Sequence, residues 1–287
     1  MTGTPERIAV VTDSTAYLPD ALVTRFGLTI IALTVVIAGE PGLEGVDVTP
    51  ADVAKALGVR RTPVTTSRPA PSAFIRAYQQ LFDAGVTGVV SVHLSAKLSG
   101  TYQAAGLAAE RFGGRVEVVD SGSTGMGLGF PALAAATAAG ASDATLTLVR
   151  EAAIAAVGRT TTLFYVDTLE FLRRGGRIGT ASALLGTALS VKPILRVADG
   201  AIEVSEKVRT ASRALDRLVE LAADAAGDSR VDIAVHHLVA TERADALHRS
   251  LVARLGERLR TAYTTEVGGA VAAHVGPGLA GVVVHRL

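Results

Sequence analysis

The stretch Ser91 to Ala105, SVHLSAKLSGTYQAA, constrains the fold more than any other part of the chain. It starts as the end of a β-rich run, Thr87 to Leu94, turns through Ser95-Ala96-Lys97-Leu98-Ser99-Gly100, and resumes as a helix with Leu98, Tyr102 and Ala105 on one face. A strand that feeds a helix through small and hydroxylated residues aims unpaired first-turn N–H groups and side-chain hydroxyls at one point. That point favours an anion, because the helix dipole adds partial positive charge there. Ser95 and Ser99 therefore read either as helix caps or as ligand-facing hydroxyls.

The same pattern occurs twice more. Ile8 to Thr12 empties into Asp13-Ser14-Thr15, and Val116 to Val119 empties into Asp120-Ser121. Three such turns predict a parallel-sheet, Rossmann-like α/β domain with polar side chains at the carboxyl edge of its strands. The run Gly122 to Gly129 lacks the spacing and the later acid of a dinucleotide loop, so its glycines read as sites of close helix-on-sheet packing, ahead of a small-residue helix at 133–139. Leu28 to Ile37 reads as one buried strand, and Thr49-Pro50 opens a helix at 51–57. Pro63, Pro69 and Pro71 make 62–71 a stiff loop carrying Thr65, Thr66 and Ser67, with Pro71 starting a helix striped by Phe74, Tyr78, Leu81 and Phe82.

The second half has a different character. A helix at 146–157 leads to a strand at 161–166 and then to Arg173-Arg174-Gly175-Gly176-Arg177, which reads as a solvated helix end or as a docking surface for an acidic or phosphorylated partner. Asp199-Gly200 between two β-rich runs, 193–198 and 201–205, predicts a hairpin with a primed turn. Two amphipathic helices follow, one with Leu215, Leu218, Val219 and Ala222 and one with Leu247, Leu251, Leu255 and Leu259, separated by a strand at 231–235. His274 ends an apolar run beside Gly276-Pro277-Gly278, as a structural residue or a ligand. The expected organisation is an N-terminal parallel-sheet domain over 1–158 and a C-terminal mixed-sheet α/β domain over 159–287, since single cores stop growing near about 250–300 residues.

Composition narrows the chemistry. With no cysteine among 287 residues, disulfides, thiolate metal sites and cysteine nucleophiles are excluded, and no spacing among the six histidines suits a metal. A net charge of +1 gives no reason to invoke nucleic acid. The start MTGTPERIAV lacks the apolar core of a signal peptide and the run 130–141 is too short to span a bilayer, so the expected location is the cytoplasm.

Asp13-Ser14-Thr15, Thr65-Thr66-Ser67 with Pro69, Leu98-Ser99-Gly100-Thr101-Tyr102, Asp120-Ser121, Phe171 to Ile178, Lys192-Pro193-Ile194-Leu195, Lys207-Val208-Arg209-Thr210 and His274 to Gly278 occur in the order of the DegV family, which the chain resembles over nearly its whole length. The resemblance implies two α/β domains with a long-chain fatty acid between them, and no cofactor or metal. It implies a non-catalytic, lipid-binding subunit of bacterial fatty acid kinase, which presents the carboxylate to a separate ATP-dependent kinase subunit and then carries the acyl phosphate. By the same resemblance Thr66, Ser95, Ser99 and His274 hold the carboxylate, and Arg173, Arg174, Arg177 and Arg209 meet the kinase. The expected partners are thus the fatty acid and the kinase subunit, with transient membrane contact, for a monomer that binds no nucleic acid. Arg68, Ala96 and Val275 depart from the family's pattern. Ala96 and Val275 remove hydroxyls from the head-group network, and Arg68 adds a charge at its rim.

Two other readings compete. The chain is a stand-alone lipid carrier or sensor, or it is a serine hydrolase using Ser95 or Ser99 with His274 and Asp13 or Asp120, although no Gly-x-Ser-x-Gly elbow is present.

Overall fold

The computed structural model describes residues 6–59, 62–184 and 192–287. The sequence reading of residues 1–5 lies outside them. The chain forms two compact units, one made of 1–33 and 68–158, the other of 34–67 and 159–287. A single division at 158 therefore becomes three crossings, because residues 34–67 pack with the second unit.

The first unit opens with β1 (Ile8–Asp13), α1 (Asp20–Phe26) and β2 (Thr29–Ile31). The chain then leaves for the second unit as β3 (Thr34–Ile37), β4 (Glu40–Leu43), α2 (Pro50–Gly58) and β5 (Val64–Ser67). It returns with α3 (Pro71–Asp83), β6 (Gly88–His93), α4 (Thr101–Ala109), β7 (Val116–Asp120), α5 (Met126–Ala139) and α6 (Leu146–Val157). β2, β1, β6 and β7 lie side by side in that order, all parallel. Strand periodicity sorts the core into two faces. Val10, Val90 and Val92 pack against Leu128, Ala132 and Val149 of α5 and α6, whereas Val11 and Val89 pack against Phe74, Tyr78 and Ala105 of α3 and α4.

Three expectations need correction here. Leu28 to Ile37 is two strands in two different sheets, since the chain changes unit after Leu33. Residues 64–67 form β5, paired antiparallel with β3, and not a loop; the flanking prolines favour extended backbone and leave the four strand residues their N–H groups. The helix expected at 133–139 begins at Met126, with glycines inside its first turns. A Cβ on Gly129 would sit 3.1 Å from the Ala16 carbonyl oxygen, so that glycine does allow a close approach.

The second unit continues with β8 (Thr160–Tyr165), α7 (Glu170–Arg174), β9 (Lys192–Ala198), β10 (Ala201–Val208), α8 (Ala211–Ala226), β11 (Val231–His237), α9 (Thr241–Leu255), β12 (Leu259–Glu266), α10 (Gly269–Val275) and β13 (Ala280–Arg286). Its main sheet runs β10-β9-β8-β13-β11-β12, and only β11 and β12 are parallel. The hairpin turn has Asp199 at φ 47° and Gly200 at φ 78°, the left-handed pair that a primed turn requires. α8 and α9 bury Leu218, Ala222, Leu247 and Leu251 against this sheet. β3, β4 and β5 form a separate antiparallel sheet in the order β4-β3-β5. Leu259 is not part of the α9 stripe. Gly256, at φ 55°, ends the helix and Leu259 begins β12, an unexpected strand. No helix among the described residues is long and apolar enough to cross a membrane.

The first unit is tied at its strand ends by a fully buried polar chain. Tyr78 donates to Ser91 Oγ at 2.8 Å, Ser91 lies 2.7 Å from His93 Nε2, and His93 Nδ1 lies 2.9 Å from Asp13 Oδ2. Asp13 also accepts from the backbone of Leu94 and from the N–H and hydroxyl of Thr15. Truncating Asp13 strands several buried donors. Asp13→Ala should cost about 3 kcal/mol or more in urea unfolding, with Asp13→Asn costing less; equal, small losses would show the chain to be dispensable.

Candidate functional site

The residues that come together lie in the second unit. β5 presents Thr66, half-buried, and its Oγ1 lies 2.9 Å from Nε2 of His274, in the last turn of α10. That helix was not expected from sequence. It exists because Gly276 turns the chain out at φ 73°, and it is held because Gly269 packs so closely that a Cβ would meet Val35 and Val53 at 3.0 and 3.1 Å.

The opposite edge of the His274 ring abuts Gly175, where a Cβ would clash with Nδ1 itself. Nδ1 is buried and has no hydrogen-bond partner among the described residues. Orphaned buried N–H groups are rarer than under-satisfied acceptors, so the arrangement assigns the proton to Nε2. Nε2–H then donates to Thr66 Oγ1, and the Thr66 hydroxyl keeps its own proton for an outside acceptor. Burial, and after it the nearby Arg177 guanidinium, pushes the His274 pKa down to about 4, so the ring is neutral at neutral pH. The pair thus offers a hydroxyl donor whose oxygen is already satisfied, a suitable partner for a carboxylate.

The arginines surround this point unequally. Arg177 donates to the Gly175 carbonyl at 2.6 Å and so braces the backbone at the Nδ1 edge of the imidazole. Arg173 and Arg174 both bond to Glu170, at 2.7 and 2.8 Å, and together hold that carboxyl down at about 2. Arg209 is exposed just ahead of α8. The Gly175-Gly176 pair, read in sequence only as a neighbour of arginines, includes the residue that closes the Nδ1 edge of His274. Its signal would have been a glycine that abuts a ring edge, which spacing alone does not reveal.

Ser95 and Ser99 belong to the first unit. Ser95 is fully buried, accepts from Lys97 N at 3.2 Å, and its carbonyl takes the N–H groups of Leu98 and Ser99. Ser99 Oγ lies 2.9 Å from Thr101 Oγ1. Neither caps α4: its N-cap is Gly100, with no side-chain cap bond, against which the Arg68 side chain packs. The loop from β6 to α4 is thus a folded turn built around the Ser95 carbonyl.

The hydrolase candidates find other employment. Asp13 is committed to His93, Leu94 and Thr15, and Asp120 accepts from the N–H groups of Ala96 and Gly122. Ser91, His93 and Asp13 do line up as serine, histidine and acid. All three are fully buried and Tyr78 occupies the serine oxygen, so no substrate carbonyl can reach it. No group of three or more metal-binding side chains occurs among the described residues.

Comparison with known proteins agrees with the motif order. The sequence pattern of the family described as "Uncharacterised protein, DegV family" matches residues 7–286. The DegV domain-containing protein SCO2569 of Streptomyces coelicolor is 52% identical over 277 residues, covering 96% of this chain and 98% of that protein. Among solved structures, a DegV family protein from Thermus thermophilus, described for its fatty acid binding, superposes with a TM-score of 0.92 at 33% identity, covering 98% of this chain and 100% of that one. DegV from Bacillus subtilis, described as a fatty acid binding protein, superposes at 0.88 with 29% identity, again covering 98% and 100%. The two-unit arrangement of a parallel-sheet and a mixed-sheet α/β domain is shared with these proteins, and the chain belongs to the DegV family.

Proposed function

We propose that this chain binds a long-chain fatty acid, with its carboxylate on the Thr66 hydroxyl backed by His274. The observation that carries this reading is the 2.9 Å contact between Thr66 Oγ1 and an imidazole whose other nitrogen is sealed against Gly175. The Thermus and Bacillus relatives, described as fatty acid binders, support the ligand class. Ser95 and Ser99 enter the proposal as further carboxylate contacts on the family resemblance. The tail supplies the affinity, at roughly 0.8 kcal/mol per buried methylene before ordering costs.

The finer proposal is that the chain is a non-catalytic, cytoplasmic, monomeric subunit, which presents the carboxylate to a separate ATP-dependent kinase and carries the acyl phosphate. Arg173, Arg174, Arg177 and Arg209 are the proposed meeting surface. One observation favours the alternative, a carrier without a kinase: Arg173 and Arg174 already share Glu170. Arg209→Glu separates the two, because Arg209 lies outside the head-group site. If a kinase docks there, acyl phosphate formation in source-cell extract supplied with ATP falls at least about tenfold, at unchanged fatty acid content. Undiminished formation assigns the arginines elsewhere.

Native mass spectrometry of the purified chain with extraction of bound lipid tests the ligand directly. One fatty acid per chain is expected, with occupancy sharply reduced in Thr66→Val with His274→Ala, and also in Gly175→Ala, whose Cβ displaces the ring. A protein that is empty and takes up no added oleate sinks the reading.

The pH dependence follows from the neutral ring. Oleate affinity should show no inflection near pH 6.5, where an ordinary histidine titrates. His274 titrates near 4 when folded, so between those values the unfolded chain binds the extra proton. Its contribution to stability is fully present above about pH 6.5 and is lost as pH falls toward 4. An imidazole resonance of His274 that moves at pH 6.5 in the folded protein contradicts both statements.

A further inference from the structure

The segment 34–67 touches α10 at both ends. Thr66, at the end of β5, meets His274 in the last turn of the helix. Glu44, just after β4, accepts the N–H of Ala270 in the first turn at 2.7 Å. Glu44 is a buried acidic side chain, 4% exposed, and burying a carboxyl costs several kcal/mol unless its partners compensate. Its own backbone is fixed. Asp47 accepts from Leu43 N at 2.9 Å, the Leu43 carbonyl takes the N–H groups of Val46, Asp47 and Val48, and Glu44 forms a bridge with Val48.

α10 spans only Gly269–Val275, too short to hold itself without tertiary contacts. Gly268, its N-cap residue, offers no side chain to the first-turn N–H groups. Glu44 does this from 226 residues away in sequence. At the far end a Cβ on Gly276 would clash with the Phe171 ring, and Gly175 at the Nδ1 edge leaves the imidazole little room. A small tilt of α10 therefore moves His274 off Thr66 or into Gly175.

We propose that Glu44 is a positioning residue for the head-group site: by accepting the Ala270 N–H it fixes the tilt of α10 and keeps the His274 ring on the Thr66 hydroxyl. The consequence for ligand binding rests on the fatty acid reading, whereas the consequence for His274 does not. The groups facing the ring are Thr66 from β5 and, after α7, Gly175 and the Arg177 guanidinium; Glu170, Arg173 and Arg174 are the remaining charges of α7.

The test is a pair of variants of the full chain. Glu44→Ala removes the acceptor, and Ala270→Pro removes the donor at a helix position that tolerates proline while leaving Glu44 in place. Glu44→Gln keeps an acceptor oxygen and should rescue. NMR of the imidazole nitrogens reads the His274 titration, and oleate titration reads binding. In Glu44→Ala and Ala270→Pro the His274 pKa is expected to rise from about 4 toward the ordinary value of about 6.5, with oleate affinity down about tenfold and Glu44→Gln close to wild type. Should the ring titrate as in wild type in both variants, or in whichever one folds, Glu44 is a stabilising contact only and the proposal is overturned. A shifted ring with unchanged oleate affinity upholds the positioning role and removes His274 from the ligand site.

Discussion

The His274 imidazole is confined on two sides, by the backbone of Gly175 and by the hydroxyl of Thr66. That confinement gives the second unit its chemistry. A free histidine chooses its tautomer and its protonation from solvent; this one is denied an acceptor at Nδ1 and kept neutral by burial. The donor direction of the pair is therefore set by sterics before any ligand arrives, and a hydroxyl oriented in advance binds an anion without the cost of arranging itself.

Such confinement needs several chain segments to arrive together. Thr66 comes from the excursion 34–67, Gly175 from the turn after α7, and His274 from a helix close to the C-terminus. Glycines at 175 and 276 let the His274 and Phe171 rings sit where a Cβ would clash, and at Gly269 a Cβ would press on Val35 and Val53 at 3.0 and 3.1 Å. The arginines beside them divide by role: Arg177 braces the Gly175 carbonyl, while Arg173 and Arg174 are held together by Glu170.

In the first unit the Ser91, His93 and Asp13 chain shows how residue types can imitate catalysis without being able to perform it. The carboxyl oxygens of Asp13, the last residue of β1, collect donors from the turn after it and from the end of β6, so the acid binds two neighbouring strand ends together. Hydrogen-bonded saturation and complete burial are what a structural network requires and what a nucleophile must avoid.

Much of this was legible in the sequence for local reasons. Apolar runs emptying into Asp-Ser or Ser give parallel strands, Pro71 opens α3, Asp199-Gly200 closes the hairpin, and the order of Thr66, Arg173 to Arg177 and His274 motifs points to the family. The fate of Leu28 to Ile37 was not legible, because the break after Leu33 is a change of unit and not of hydropathy. Nor was α10, whose apolar residues lie at a spacing shared by strands and short helices, nor the partner of Glu44, which lies 226 residues away. By itself the sequence determined which elements form and which residue types are on hand, since propensity and periodicity act over a few residues. Which of those residues meet, and hence the neutral His274 held edge-on between Thr66 and Gly175, was decided only by tertiary structure, because close approach and burial depend on segments far apart in the chain.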